Sequence, residues 1–213
     1  PIQPTPLYEK LYPTREVTPR MQGQPKVHKA PDEQGQYPFR PIVSGRDSIT
    51  APLAKHLASI LTPITIKTQF QVTDSLHLKQ CLSMHIIPDT HVLVSFDVTN
   101  MYPSIPRIPA MAALKHLLEQ DTSLPKRTSL SVDMIITFME EVLRLAHFRW
   151  QGAYYAQTDG CAMGCPTSTP FSNAFMTKFE LDALTGYRLL HDPPLDPQTP
   201  PPPSVILFWY RQA

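Results

Sequence analysis

Residues 92–102 read Val92-Leu93-Val94-Ser95-Phe96-Asp97-Val98-Thr99-Asn100-Met101-Tyr102, and this stretch decides the fold. Val92, Val94 and Phe96 alternate with Leu93, Ser95 and Asp97, which predicts a strand over His91–Asp97 with the carboxylate on its less apolar face. Pro103 and Pro106 follow and end regular structure. Taken alone, Asp97 is a strand-ending carboxylate that accepts hydrogen bonds from a turn. Held on a rigid strand tip beside main-chain carbonyls, the same group suits Mg²⁺, which takes one or two carboxylates together with substrate phosphates.

Working outward, the apolar spacing predicts helices over Pro52–Leu61, over Asp74–Ser83 with Thr73 or Asp74 as cap, and over Pro109–Leu118. A further helix is expected over Val132–Ala146, where Val132, Ile135, Ile136, Met139, Val142, Leu143 and Ala146 form one stripe. Phe148-Arg149-Trp150, Gln151-Gly152 and Ala153-Tyr154-Tyr155-Ala156 read as a hairpin. From Pro166 to about Thr185 a helix sets Phe171, Phe175, Phe179 and Ala183 on one face, for core packing. Val205–Tyr210 begins another strand. The prolines, 25 in all, cluster at both ends. Residues 1–20 read as a poorly ordered lead-in, and 193–203 as a polyproline-like insert.

Three further segments flank the Asp97 run. Upstream stand Pro25-Lys26-Val27-His28-Lys29 and Phe39-Arg40-Pro41-Ile42-Val43-Ser44-Gly45, and downstream stands Gly160-Cys161-Ala162-Met163-Gly164-Cys165-Pro166-Thr167-Ser168. In order and spacing, from about Pro25 to the C-terminus, these residues resemble the reverse transcriptase of Penelope-like retroelements, the group nearest to telomerase reverse transcriptases.

The resemblance implies an α+β fold, the fingers and partial palm of a right-hand polymerase, with a mainly antiparallel palm sheet backed by helices. Fingers would occupy 21–90 and 109–157; palm would occupy 91–108 and 158–213. Asp97 matches the first metal-binding aspartate and the Val98 carbonyl the usual main-chain ligand of Mg²⁺. Tyr102 takes the place of the ring that lies under the sugar and favours deoxynucleotides. Lys26 and Arg40 resemble the cations that grip the triphosphate, a mobile point charge and a bidentate fork. Met163 and Gly164 stand in the loop that holds the base pair, where many relatives have Gln-Gly. Implied partners are an RNA template with its DNA primer and deoxynucleoside triphosphates; the implied location is the nucleus.

The last catalytic motif of such enzymes resembles Trp-x-Arg-Tyr-Val-Asp-Asp. This chain reads Phe208-Trp209-Tyr210-Arg211-Gln212-Ala213, with no acid after Asp196. One carboxylate does not hold two Mg²⁺ ions, so the expectation is a fragment or degraded copy that does not polymerise alone. Thumb and GIY-YIG endonuclease are likewise not expected in it. The alternative is a non-catalytic nucleic-acid-binding remnant that uses the Arg20–Arg46 cations with Tyr154 and Tyr155.

Bulk properties constrain less. In 213 residues, 42% hydrophobic, no apolar run reaches the roughly 18 residues of a membrane span. Nineteen Lys and Arg balance eighteen Asp and Glu, but residues 20–46 carry Arg20, Lys26, Lys29, Arg40 and Arg46 against only Asp32 and Glu33. Three cysteines do not make a disulfide framework. Cys81 with His85 and Cys161 with Cys165 are spaced poorly for zinc and read better as buried thiols.

Overall fold

The computed structural model describes residues 6–13, 16–65, 72, 74–84 and 97–191, with side chains to 183. In chain order the elements are α1 (Pro6–Leu11), β1 (Met21–Pro25), β2 (Phe39–Val43), α2 (Ala51–Thr65), α3 (Ser75–Ser83), α4 (Met101–Ser104), α5 (Arg107–Gln120), a 3₁₀ turn (Leu124–Lys126), α6 (Val132–Arg144), β3 (His147–Trp150), β4 (Ala153–Ala156) and α7 (Ser168–His191). The fold is α+β: helices with two small antiparallel sheets, β1–β2 and β3–β4. No helix among the described residues is long and apolar enough to cross a membrane.

Local chemistry accounts for most boundaries. Asp74 caps α3 by accepting from the His77 amide (2.8 Å), and Ser131 caps α6 by accepting from Met134 (3.2 Å). Gln151 and Gly152 both take positive φ, 46° and 86°, the two-residue turn whose twist matches the strands it joins. The helix expected from Pro109 begins at Arg107 instead, because Pro106, extended with φ −71°, already sets the entry. The helix expected from Pro166 begins at Ser168, since Cys165 to Thr167 still belong to the preceding turn.

Four helices build the core. Leu57, Ile60 and Leu61 of α2, Leu114 and Leu118 of α5, Ile135 and Met139 of α6, and Phe171 of α7 are all buried in one cluster with Ile105. Each such side chain contributes about 1.5–3 kcal/mol of burial. Of the phenylalanine row read on α7, Phe171 is in the core and Phe175 packs against it, while Phe179 and Ala183 are exposed. Beyond Phe171 the buried positions are Ser172, Ala174, Met176, Thr177 and Glu180, while Phe179 is 53% exposed and stacks on Phe175. Small side chains let α7 approach α5 and α2 closely, which rings at those positions would prevent.

Two features lay outside the sequence reading. The lead-in contains α1, whose Leu7 packs on the core cluster beside α2. Strands β1 and β2 were not expected, because Gly23, Pro25 and Pro41 disfavour strands; a two-stranded ribbon has free edges that tolerate them. Of the strand read over His91–Asp97 only Asp97 is described, and it is not in a strand; the Thr73 cap, the 193–203 insert and the Val205–Tyr210 strand lie outside the described residues.

Two outcomes follow. Phe171→Ala lowers the free energy of urea unfolding by about 3–5 kcal/mol, whereas Phe179→Ala changes it by less than about 1 kcal/mol. On α2, both ring nitrogens of His56 are buried without a partner, and burial first, then Lys10, holds its pKa below the usual 6.5. Unfolded chain therefore binds the proton more readily. The penalty is absent above pH 6.5 and grows as pH falls toward the lowered folded value. Unfolding midpoints of His56→Phe fall less between pH 7 and 5.5 than those of the parent chain.

Candidate functional site

Lys26 and Arg40 are placed by the β1–β2 hairpin. Gln24 lies opposite Arg40 in the antiparallel register, and the Lys26 amide donates to the Pro38 carbonyl (2.7 Å), extending the ladder by a step. Residues two apart on a strand share a face, so Lys26 and Arg40 present their cations on the same side. The Lys26 ammonium then donates to the Asn100 side-chain oxygen at 3.2 Å, across 74 residues of sequence. Asn100 sits in the left-handed region (φ 51°, ψ 50°), a conformation its short amide tolerates, and from there the chain enters α4.

Asp97 and Val98 precede that turn and are exposed. Three residues of chain reach at most about 10 Å, so the Asp97 backbone stays within about that distance of the Asn100 backbone. Among the described residues no ion pair joins Asp97 to either cation. Tyr102, in α4, is half-buried against the core, and its hydroxyl shares a hydrogen bond with Thr169 at 3.1 Å, in the first turn of α7.

The Gly160–Ser168 loop closes the group from the other side. The Val43 amide donates to the Met163 carbonyl (2.8 Å) and the Gly45 amide to that of Gly164 (3.3 Å). At its start the Cys161 amide donates to the Tyr102 carbonyl (2.9 Å). Arg107 donates from Nε to Gly160 (2.9 Å) and from a terminal nitrogen to Gln157 (2.8 Å), and the Ser168 hydroxyl donates to Ala162 (2.7 Å). Gly160 and Gly164 are required on two counts. Their φ values are 64° and 115°, and a Cβ on Gly160 would overlap the Pro103 carbonyl, while one on Gly164 would stand 2.6 Å from that of Val43.

The electrostatics separate scaffold from working groups. Burial lowers the pKa of Arg107, opposed by nearby Asp159 and Cys161, and its hydrogen bonds serve the loop. Burial pushes the Cys161 thiol up, opposed by bonds to Ser172 and Ser168, so it stays protonated and unreactive. Cys81 and Cys165 are half-buried and in no disulfide. The Cys81 pairing with His85 falls outside the described residues. Among the described residues no three His, Cys, Asp or Glu side chains gather to hold a metal ion. The donors present at Asp97 and Val98 are hard oxygens. Such donors would suit a hard divalent cation such as Mg²⁺ and do not by themselves make a complete protein cage.

The structure thus brings Lys26 to the Asp97 turn, Arg40 to the face of Lys26, Tyr102 to the start of α7, and Met163 and Gly164 to the end of β2. Asn100, Arg107 and Thr169 escaped the sequence reading. The first had a legible signal, an Asn just before a short helix; a guanidinium capping carbonyls 50 residues away had none. No family model, curated protein or solved structure matches the chain.

The close approach is testable against an internal control. Gly35 has a similar φ of 74° but open space around its Cβ, so Gly35→Ala reads the backbone cost alone, about 1–2 kcal/mol. Gly160→Ala and Gly164→Ala cost measurably more in urea unfolding, because backbone must also move apart.

Proposed function

We propose that this chain forms the fingers and part of the palm of a reverse transcriptase of the Penelope-like type, catalysing RNA-directed DNA synthesis by two-metal nucleotidyl transfer. The observation that carries the reading is convergence. Three motif segments around residues 26–45, 97–104 and 160–169 are joined by the Lys26–Asn100, Val43–Met163, Cys161–Tyr102 and Tyr102–Thr169 bonds.

In this reading Lys26 and Arg40 neutralise the triphosphate, Lys26 as a mobile charge already leaning toward the Asp97 turn and Arg40 as a fork. Asp97 and the Val98 carbonyl would hold the metal ion. Mg²⁺, when bound there, stabilises the charge that develops on the attacking and leaving oxygens. The Tyr102 ring, pinned by Thr169, supplies the floor for a deoxyribose and leaves no room for a 2′-hydroxyl. Met163 presses its thioether on the nascent base pair without donating a hydrogen bond, while Gly164 lets the backbone come close. The chain contributes one carboxylate, and synthesis belongs to the protein that supplies the others alongside it.

Full-length protein containing this chain incorporates dTTP on poly(rA)–oligo(dT) with Mg²⁺, and Asp97→Asn reduces incorporation by about a thousandfold or more. Arg40→Ala weakens dTTP binding by about 10- to 100-fold, the worth of a charge-assisted bond. Tyr102→Val raises incorporation of ribonucleotides. Incorporation untouched by Asp97→Asn overturns the reading, and nucleic-acid binding without synthesis assigns the chain to the non-catalytic alternative.

A further inference from the structure

The two hairpins lie side by side and leave two outer edges. The Arg149 amide of β3 donates to the Pro19 carbonyl at 2.8 Å, and Arg20, one residue before β1, forms a parallel bridge with Arg149. The strands therefore follow one another as β2, β1, β3, β4. The same bond fixes which way β4 faces. Because the Arg149 amide points to Pro19, the opposed pair Arg149 and Tyr154 exchanges no hydrogen bonds, and Phe148 with Tyr155 is a bonded pair. The Gln157 amide, which donates to the Ala146 carbonyl at 2.9 Å, keeps the same alternation. The main-chain N–H and C=O of Tyr154 and Ala156 thus point away from β3, and among the described residues nothing bonds them.

The two edges differ in how they are protected. On β2 the outward positions are Phe39, Pro41 and Val43. Pro41 has no N–H to offer, and the Val43 amide is taken by the Met163 carbonyl at 2.8 Å. Sheet edges are ordinarily blunted in such ways, with a proline, a lysine, a bulge or a covering segment. None of these devices occurs on β4. Gln151 through Gln157 contain no charge and no proline. All four strand residues are exposed, so the chain leaves both faces of β4 open. Tyr154 is 69% exposed and Tyr155 45%, the latter with its ring stacked on Phe148 at 5.5 Å.

We infer that β4 is a self-association edge, pairing antiparallel with β4 of a second copy of this chain about a twofold axis at Tyr155. One register uses every outward group. Tyr154 of each copy meets Ala156 of the other, and each such pair exchanges both of its hydrogen bonds. Tyr155 then faces its own counterpart across the axis as a non-bonded pair, where Cα atoms stand about 4.5 Å apart and side chains approach most closely. Aromatic pairs are favoured at such positions. A foreign strand would need a matching pattern of its own; an identical edge supplies one by symmetry. Like charge is what ordinarily keeps two copies of an edge apart, and it is remote here. The two Arg149 positions are three strand spacings apart, roughly 14 Å, beyond the screening length of about 10 Å at 0.1 M salt. The paired edge is short, so the dimer is a weak one, with a dissociation constant of about 10–500 µM. It does not rest on the proposed function.

Sedimentation velocity of the full chain from about 5 to about 500 µM tests this. The mass rises from that of one copy toward two and stops there. Tyr155→Lys sets like charges on the axis, and Ala156→Pro removes an outward N–H that its own hairpin does not use. Each raises the dissociation constant at least about tenfold, while far-UV circular dichroism and thermal unfolding match the parent. Under mild oxidation with copper phenanthroline, Tyr155→Cys forms a covalent dimer above the parent's background. Ala153→Cys does not, because this register holds it four residues along the strand from its counterpart, about 13 Å. A chain that stays monomeric at the highest concentration, whatever other extended peptide it captures, overturns the inference. So does a dimer that both Tyr155→Lys and Ala156→Pro leave intact, growth past two copies, or crosslinking at 153 and not at 155.

Discussion

Everything near the candidate site depends on two places where backbone lies against backbone with no side chain between. At Gly160 the loop rests on the Pro103 carbonyl, and at Gly164 it rests on the end of β2. Only glycine satisfies both the positive φ and the contact distance. Once those contacts form, amide donors on Val43, Gly45 and Cys161 find their carbonyls, and the hairpin, the α4 turn and the start of α7 become one unit. Arg107 secures the same loop from beneath with two bonds to carbonyls.

That arrangement leaves the charged groups unspent. The cations that pair with acids sit elsewhere: Arg127 with Asp121, Arg144 with Glu141, Lys115 with Asp133 and Lys178 with Asp182. Lys26 has a neutral amide for a partner, which orients the ammonium without cancelling its charge. A fold that holds neutral scaffolding tightly and keeps its cations uncompensated is suited to an anionic ligand, and the nucleotide reading uses that property.

The sequence was most informative where one physical signal dominated. The apolar stripe of Val132 to Leu143 and the Gln151-Gly152 turn made α6 and the β3–β4 hairpin legible, because periodicity and turn chemistry act locally. The paired prolines around β1 and β2 concealed a ribbon, since a ribbon's free edges relieve the usual objection to proline. On α7 the row of phenylalanines suggested a core face. Phe171 and Phe175 do pack there, but the face turns toward Ser172 and Ala174 and leaves Phe179 outside, a tertiary demand that spacing does not carry. In the site, motif residues were readable one by one, while the residues that fasten them, Asn100, Arg107 and Thr169, act over 50 to 74 positions and leave no pattern.

The Val43–Met163 bond also sets a timetable. Met163 follows Val43 by 120 residues, and at 5–20 residues per second the ribosome needs about 6–24 s to deliver it. Contacts of such high order come late in folding, after local helices and hairpins. Through that interval the Val43 and Gly45 amides, on the side of β2 away from β1, face water or any other extended chain at hand. The nascent chain is therefore most exposed to mispairing at the strand that later frames its own site, and a bound chaperone would matter most there.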